Sequence, residues 1–210
     1  MTDLQNSIIA ALHKIIALGR QLVIVDVQKC FDASQNLVEP LLDYAKGFDE
    51  IIYIWDDVQE EHKDEDYLTE MMRKMKDSGI HVRMTPMRKQ YGFFRGLMDT
   101  GVSEEDIVLG IQFMLKYELL DSRSIVEEAE ETWIQYADKH GIEWVPEGFE
   151  GDEDYTDPLY IPEDLTNSLK EVVKKRPILV GGGRNECLQE IYLLLEALQV
   201  DPEINEKYTY

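Results

Sequence analysis

Three side chains that lie far apart in the chain, Asp26, Lys89 and Cys187, are of the types needed for acyl transfer. Cys187 opens a predicted helix, where the peptide dipoles favour the thiolate that acts as a nucleophile. A nearby lysine would favour the thiolate further, and an aspartate could accept the thiol proton and later pass it to a leaving amine. Together these groups would make up an apparatus for acyl transfer.

The segment GGGRNEC, residues 181–187, supplies a possible oxyanion site for that reaction. Glycines before a helix let backbone N–H groups turn toward one point, and we assign this role to the N–H groups of Gly183 and Cys187. The same segment would also suit a phosphate site or a tight turn between a strand and a helix. It lacks the Gly-Lys-Ser/Thr ending of a nucleotide P-loop.

Each of these residues also has a purely structural interpretation. Cysteine is a common core residue, which we expect of Cys30, although its closeness to Asp26 could place it at the pocket wall. Asp26 could cap a turn. Lys89 belongs to a basic run that could simply be surface, and Arg184 could bind an anionic substrate or form a surface ion pair. Aromatic residues near the same positions could line a pocket or belong to the core. The candidates for substrate binding are Gln28, Phe31, Trp55, Tyr91, Phe94 and Arg184.

The elements that must position these residues follow a β-α-β rhythm. Continuous apolar runs at residues 21–26 and 50–55 are typical of strands buried on both faces of a parallel sheet. Further strands are predicted at 80–84 and 177–180, with helices at 6–18, 37–46, 67–78, 164–175 and 185–199. The predicted fold is an α/β, doubly wound (Rossmann-like) parallel sheet of five or six strands with helices on both faces. In such sheets ligands bind beyond the carboxyl ends of the strands, where Asp26, Lys89 and Cys187 are expected.

Residues from about 103 to 162 do not follow this rhythm. They contain two helical stretches, 104–119 and 124–140, and then an acidic stretch up to residue 164. We interpret them as an insertion in a single domain spanning 1–210, serving as a helical cap, a substrate lid or an oligomer interface.

Composition limits the classes of partner. The 210 residues carry a formal net charge of −22, which would repel nucleic acid and anionic lipid surfaces. No apolar run reaches the ~20 residues that a membrane-spanning helix needs. Two cysteines are too few for a disulfide framework and fit a reducing cytoplasm. We therefore expect a small-molecule substrate, no nucleic-acid partner and no membrane partner.

Four segments together carry a family resemblance: VDVQKCF (25–31), NLVEPLLDYAKGFDEIIYIWD (36–56), KQYGFFRGL (89–97) and VGGGRNECLQEIYLLLEAL (180–198). In this order they resemble the isochorismatase-like cysteine hydrolases, the superfamily that contains the nicotinamidases. The resemblance implies Asp26, Lys89 and Cys187 as the catalytic triad, Gly183 and Cys187 around the oxyanion hole, and a cis peptide bond before Gly183. It also implies an amide-type C–N bond as the target and a homo-oligomer.

Two departures from the family pattern affect substrate and metal. The gap between Lys89 and Cys187 is longer than is usual between these motifs, so the insertion could reshape the pocket. Nicotinamidases bind a metal through an Asp-x-His pattern, of which this chain offers only Asp56 and His62. With no third ligand evident we expect no cofactor, and a divalent metal is only weakly indicated. The alternative function is a non-catalytic interaction or binding protein on the same fold.

Overall fold

The computed structural model describes residues 19–56, 70–79, 83–89, 97, 101–121, 127–143, 159–174 and 176–210. The chain forms two compact units, one of Met1–Lys89, Val173–Tyr192 and Val200–Tyr210, the other of Gln90–Val172 and Leu193–Gln199. Each unit is described by itself. The predicted helix at 6–18 lies outside the described residues. The single domain with an insertion at about 103–162 stays a prediction.

The first unit is built on a parallel sheet, with described strands in the order β3-β2-β1-β4-β5. The strands are β1 (Leu22–Val25), β2 (Glu50–Asp56), β3 (Arg83–Lys89), β4 (Ile178–Gly181) and β5 (Glu203–Thr209). The helices are α1 (Val38–Ala45), preceded by the 3-10 helix Asp32–Leu37, then α2 (Glu70–Asp77), and α6 (Cys187–Ala197), which belongs to this unit up to Tyr192. The predicted α/β class with a parallel sheet is confirmed. The total of five or six strands and the doubly wound arrangement remain predictions.

Both faces of the central strands are withdrawn from water, as the continuous apolar runs predict. Leu22 and Ile24 of β1 belong to a core cluster with side chains of β2, β4, α1 and α2. Val23 and Val25, on the opposite face, are also fully buried. A strand that is buried on both faces must be apolar at every position, which explains the sequence LVIV.

The outer strands differ from the predictions. β3 is Arg83–Lys89, so Lys89 is its last residue and does not follow it, and residues 80–82 of the strand predicted at 80–84 lie outside the described residues. β3 pairs with β2 alone among the described strands, and an edge strand accepts the proline and the basic residues that no apolar run would mark. β5, EINEKYT, was not predicted, because its mostly polar sequence carries no signal of burial.

The second unit contains three described helices, α3 (Glu104–Lys116), α4 (Glu127–His140) and α5 (Glu163–Val172). The side chain of Ser103 caps α3 by accepting a hydrogen bond from the N–H of Asp106 at 3.1 Å. Phe113 of α3 and Trp133 of α4 are fully buried and pack edge to face, with ring centroids 5.0 Å apart. The helices predicted at 104–119, 124–140 and 164–175 are confirmed as elements, and residues 124–126 and 175 of these predictions lie outside the described ranges. In the described part of the chain, no helix has both the length and the apolar character needed to cross a membrane.

Candidate functional site

Asp26 lies directly after β1 and is completely buried. Its backbone is left-handed, with φ of 48°, a conformation that costs most residues about 1–2 kcal/mol and that aspartate tolerates better than most. Its N–H donates to the carbonyl oxygen of Ile54 in β2 at 2.9 Å. Asp26 is therefore held at the carboxyl end of the sheet by the neighbouring strand, in a backbone conformation imposed by its surroundings.

The glycines after β4 press against the end of β1. Gly181 pairs with Val25 in the sheet, and the N–H of Gly182 donates to the carbonyl oxygen of Val25 at 2.7 Å. Both glycines have positive φ, 83° and 49°. A Cβ atom on Gly181 would lie 2.3 Å from the oxygen of Val25, a distance that real Cβ atoms do not reach. Only glycine allows the two strand ends to approach this closely.

Cys187 is the first residue of α6, as predicted, and its side chain is half-buried. The carbonyl oxygen of Gly183 accepts hydrogen bonds from the N–H groups of Glu186, at 3.0 Å, and Leu188, at 3.2 Å. A Cβ atom on Gly182 would lie 3.0 Å from the backbone nitrogen of Leu188. Residues 181–183, here called the glycine turn, therefore contact both the residue before Asp26 and the residue after Cys187. Asp26 and Cys187 thus both lie beyond the carboxyl ends of two adjacent strands, β1 and β4.

Lys89 is the last residue of β3, where it pairs with Asp56 of β2, and it lies at the same carboxyl end of the sheet as Asp26. β2 lies between β3 and β1, so the backbone of Lys89 is two strand spacings, about 10 Å, to the side of β1, and two residues beyond the end of that strand. The side chains of Lys89 and Asp56 lie outside the described part of the structure. The structure thus places the Lys89 backbone near the other two residues without defining the position of its amine.

The residues after Asp26 form a tight turn. Gln28 is buried, and its carbonyl oxygen accepts hydrogen bonds from the Ser34 hydroxyl at 2.7 Å and the Gln35 amide at 2.8 Å. Phe31 is half-buried, and its N–H donates to the same oxygen at 3.1 Å. Cys30 is exposed, so the prediction that it is a core residue is wrong. It lies in a turn that is fixed by backbone bonding, where its side chain contributes nothing to the core.

The other candidate substrate-binding residues have different surroundings. Trp55 is half-buried and packs against the core cluster, which matches the structural alternative for that ring. The guanidinium of Arg184 donates to Glu206 at 2.8 Å and also to Gln189, so the ion pair, one of two alternatives for this residue, is formed. Tyr91 and Phe94 lie outside the described residues. Substrate binding by any of them stays a prediction.

The peptide bond before Gly183 is trans, as are all the peptide bonds that the structure describes, so the cis bond implied by the family resemblance is wrong. The oxyanion role of the Gly183 and Cys187 N–H groups stays a prediction.

A metal centre has no support within the described ranges. No group of three or more histidine, cysteine, aspartate or glutamate side chains comes together there. His62 and the side chain of Asp56, the two weak candidates, are outside those ranges. The metal hypothesis is therefore not tested.

Tyr210 makes hydrogen bonds to residues of the candidate site that the sequence did not indicate. Its hydroxyl donates to the carbonyl oxygen of Asp26 at 3.2 Å, and its N–H donates to that of Gly182 at 3.3 Å. Its own carbonyl oxygen accepts from the N–H of Arg184 at 2.8 Å. The residue follows an unpredicted polar strand, so no sequence signal connected it with this end of the sheet.

No family model, curated protein or solved structure matches the chain. The resemblance to isochorismatase-like hydrolases therefore depends on the four sequence segments, and the fold and the site depend on the structure alone.

Proposed function

We propose that the chain is a cytoplasmic cysteine hydrolase, similar to the isochorismatase-like enzymes and built on a doubly wound sheet, that cleaves an amide-type C–N bond of a small molecule. The observation that carries the proposal is the glycine turn between β4 and α6. It contacts the residue before the buried Asp26 and the residue after Cys187. A carboxyl group and a thiol are the two groups that thioester chemistry requires.

In the proposed reaction the sulfur of Cys187 attacks the carbonyl carbon of the amide, and its proton passes to the carboxylate of Asp26. Asp26 then gives the proton to the leaving nitrogen as the C–N bond breaks, which leaves a thioester on Cys187. Water attacks the thioester carbon, and its proton returns through Asp26 to the sulfur as the acid product leaves. Lys89 and the N–H groups of Gly183 and Cys187 would stabilise the negative oxygen, each donor being worth ~2.7 to 4 kcal/mol.

The position of Cys187 supports its role as the nucleophile. The first turn of a helix favours a thiolate, and the half-buried side chain remains accessible to a small molecule. The location of Asp26 directly after β1, beside the turn that leads to Cys187, supports the role of proton carrier.

The first test is the pH dependence of alkylation by iodoacetamide, with the labelled peptides identified by mass spectrometry. Cys30 is exposed and would label as well, so the measurement uses the Cys30→Ser variant. We expect Cys187 to react readily at pH 6, where an ordinary thiol with pKa ~8.5 is almost wholly protonated. Asp26→Asn should slow the reaction at this pH, because the thiol proton loses its acceptor.

Asp32→Asn is the matched control, because Asp32 is a nearby but exposed carboxylate. It should leave the rate unchanged. If Cys187 reacts only as fast as an ordinary thiol across the pH range, the hydrolase proposal is wrong and a binding protein on the same fold becomes the better explanation.

The second test addresses the substrate. Nicotinamide-like, carbamoyl and ureido compounds are incubated with the protein, with ammonia or amine release as the readout and intact mass as a check for an acyl group on sulfur. We expect release with at least one compound class, and none from Cys187→Ser. Release that survives Cys187→Ser would rule out the thioester route.

A further inference from the structure

The end of β5 is joined to the glycine turn by several bonds. Tyr210 exchanges two backbone hydrogen bonds with the turn, donating to Gly182 and accepting from Arg184. Glu206, in β5, pairs with the guanidinium of Arg184 at 2.8 Å. β5 itself pairs with β4 at few positions and with a shifted register. The attachment to the turn therefore holds this strand end in addition to the regular ladder.

The side chain of Tyr210 extends this attachment to Asp26. The hydroxyl donates to the carbonyl oxygen of Asp26, the residue in the left-handed conformation. That oxygen belongs to the peptide unit between Asp26 and Val27, so a hydrogen bond to it restricts rotation of the backbone next to the carboxyl group. A single residue thus fixes both the turn that leads to Cys187 and the backbone that carries Asp26.

We propose that Tyr210 is a positioning residue, whose hydroxyl keeps the Asp26 carboxyl group in place to accept the Cys187 proton. The inference rests on the proposed function, since it assigns Tyr210 a role in the same site. Tyr210 acts through Asp26 and takes no part in bond making or breaking.

The test compares Tyr210→Phe with Tyr208→Phe, both in the Cys30→Ser background. Tyr208 lies in β5, two residues before Tyr210, and stacks on Tyr44 with ring centroids 4.4 Å apart, so its replacement removes the same group without touching the turn. We expect Tyr210→Phe to lower the rate of Cys187 alkylation at pH 6 about five-fold, the ratio that corresponds to one typical hydrogen bond. Tyr208→Phe should leave the rate unchanged.

A double-mutant cycle separates positioning from general stabilisation. If Tyr210 acts through Asp26, then Tyr210→Phe should have no further effect on the rate once Asp26→Asn is present. A five-fold loss that is the same in both backgrounds would show a merely structural role and overturn the inference. An unchanged rate in Tyr210→Phe would overturn it as well.

Two results distinguish failure of the inference about Tyr210 from failure of the proposed function. If Cys187 of the Cys30→Ser protein itself is not activated at pH 6, the proposed function fails and the inference fails with it. If Cys187 is activated and Tyr210→Phe behaves like Tyr208→Phe, only the inference fails. Should Tyr210→Phe lose its cooperative melting transition, Glu206→Gln replaces it in the cycle. That variant loosens the same strand end from Arg184, and it must show the same dependence on Asp26.

Discussion

Replacing Gly181 with alanine tests the close contact between the ends of β1 and β4. Gly181 has φ of 83°, and a Cβ atom there would lie 2.3 Å from the oxygen of Val25 and 2.7 Å from a methyl carbon of Val27. Gly79 is the matched control, because it lies in the same unit with φ of 65° and an added Cβ would meet nothing within 4 Å. Both substitutions place an alanine in a left-handed backbone conformation, but only Gly181→Ala also creates a steric clash.

The expected magnitudes follow from these distances. A left-handed alanine costs about 1–2 kcal/mol, and loss of glycine's freedom in the unfolded chain offsets about 0.4–1 kcal/mol of this in both variants. Gly181→Ala must also displace a backbone oxygen of the central strand, which cannot rotate away as a flexible side chain could. Overpacking of this kind typically costs about 1–3 kcal/mol. We expect Gly181→Ala to be less stable than Gly79→Ala by about 1–3 kcal/mol.

Urea unfolding at pH 7, followed by circular dichroism, measures both free energies of unfolding. A total loss of about 1–5 kcal/mol for Gly181→Ala would be a substantial part of the 5–15 kcal/mol typical of a folded domain. Equal losses in the two variants, within about 0.5 kcal/mol, would mean that the strand ends separate easily and that the contact described here does not constrain residue 181.

Two further predictions concern other parts of the molecule. The pKa of Tyr44 is raised, mainly by burial, although the hydrogen bond from Asn205 lowers it. Because the folded state keeps this proton more tightly, stability is fully present below the unfolded pKa of about 10 and is lost above it. Urea unfolding at several pH values should therefore show a shallower alkaline decline for Tyr44→Phe than for the natural chain, and parallel curves would contradict this. Ser103→Ala should destabilise the second unit by about 1 kcal/mol, because α3 loses its cap, whereas Ser103→Thr keeps the acceptor oxygen. Thermal unfolding of the two variants measures the difference, and equal melting temperatures would show that the cap contributes nothing.

The sequence predicted the interior strands well, because burial on both faces leaves a continuous apolar run that can be read directly. Leu22–Val25 and Ile178–Gly181 are such runs. The strands at the two edges of the described sheet were harder to predict from the sequence. An edge strand is paired on one side only, so Arg83–Lys89 and Glu203–Thr209 need no apolar run, and their position is decided by the neighbouring strand.

The candidate site shows the same division. A cysteine at a helix start and an aspartate after an apolar strand are local patterns, and both were placed correctly relative to their elements. The left-handed backbone of Asp26 and the contact with Tyr210 depend on residues distant in sequence, so no local pattern could reveal them. Cys30 was wrongly predicted to be buried, because cysteine is one of the residue types most often found in protein cores. The hydrogen bonding of its turn instead leaves the thiol exposed to solvent.

The pairing of β1 with β4 also has a kinetic consequence. β1 joins β2 through a short stretch of chain, but its other neighbour follows only after the whole second unit except residues 193–199. Contacts between distant segments form slowly, because the chain must lose the entropy of closing a long loop before these contacts can stabilise it. During synthesis β1, β2 and β3 can therefore associate early. The side of β1 that pairs with β4 stays unpaired until β4 is synthesised. Until then the unpaired backbone N–H and C=O groups on that side of β1 are open to pairing with strands of other nascent chains.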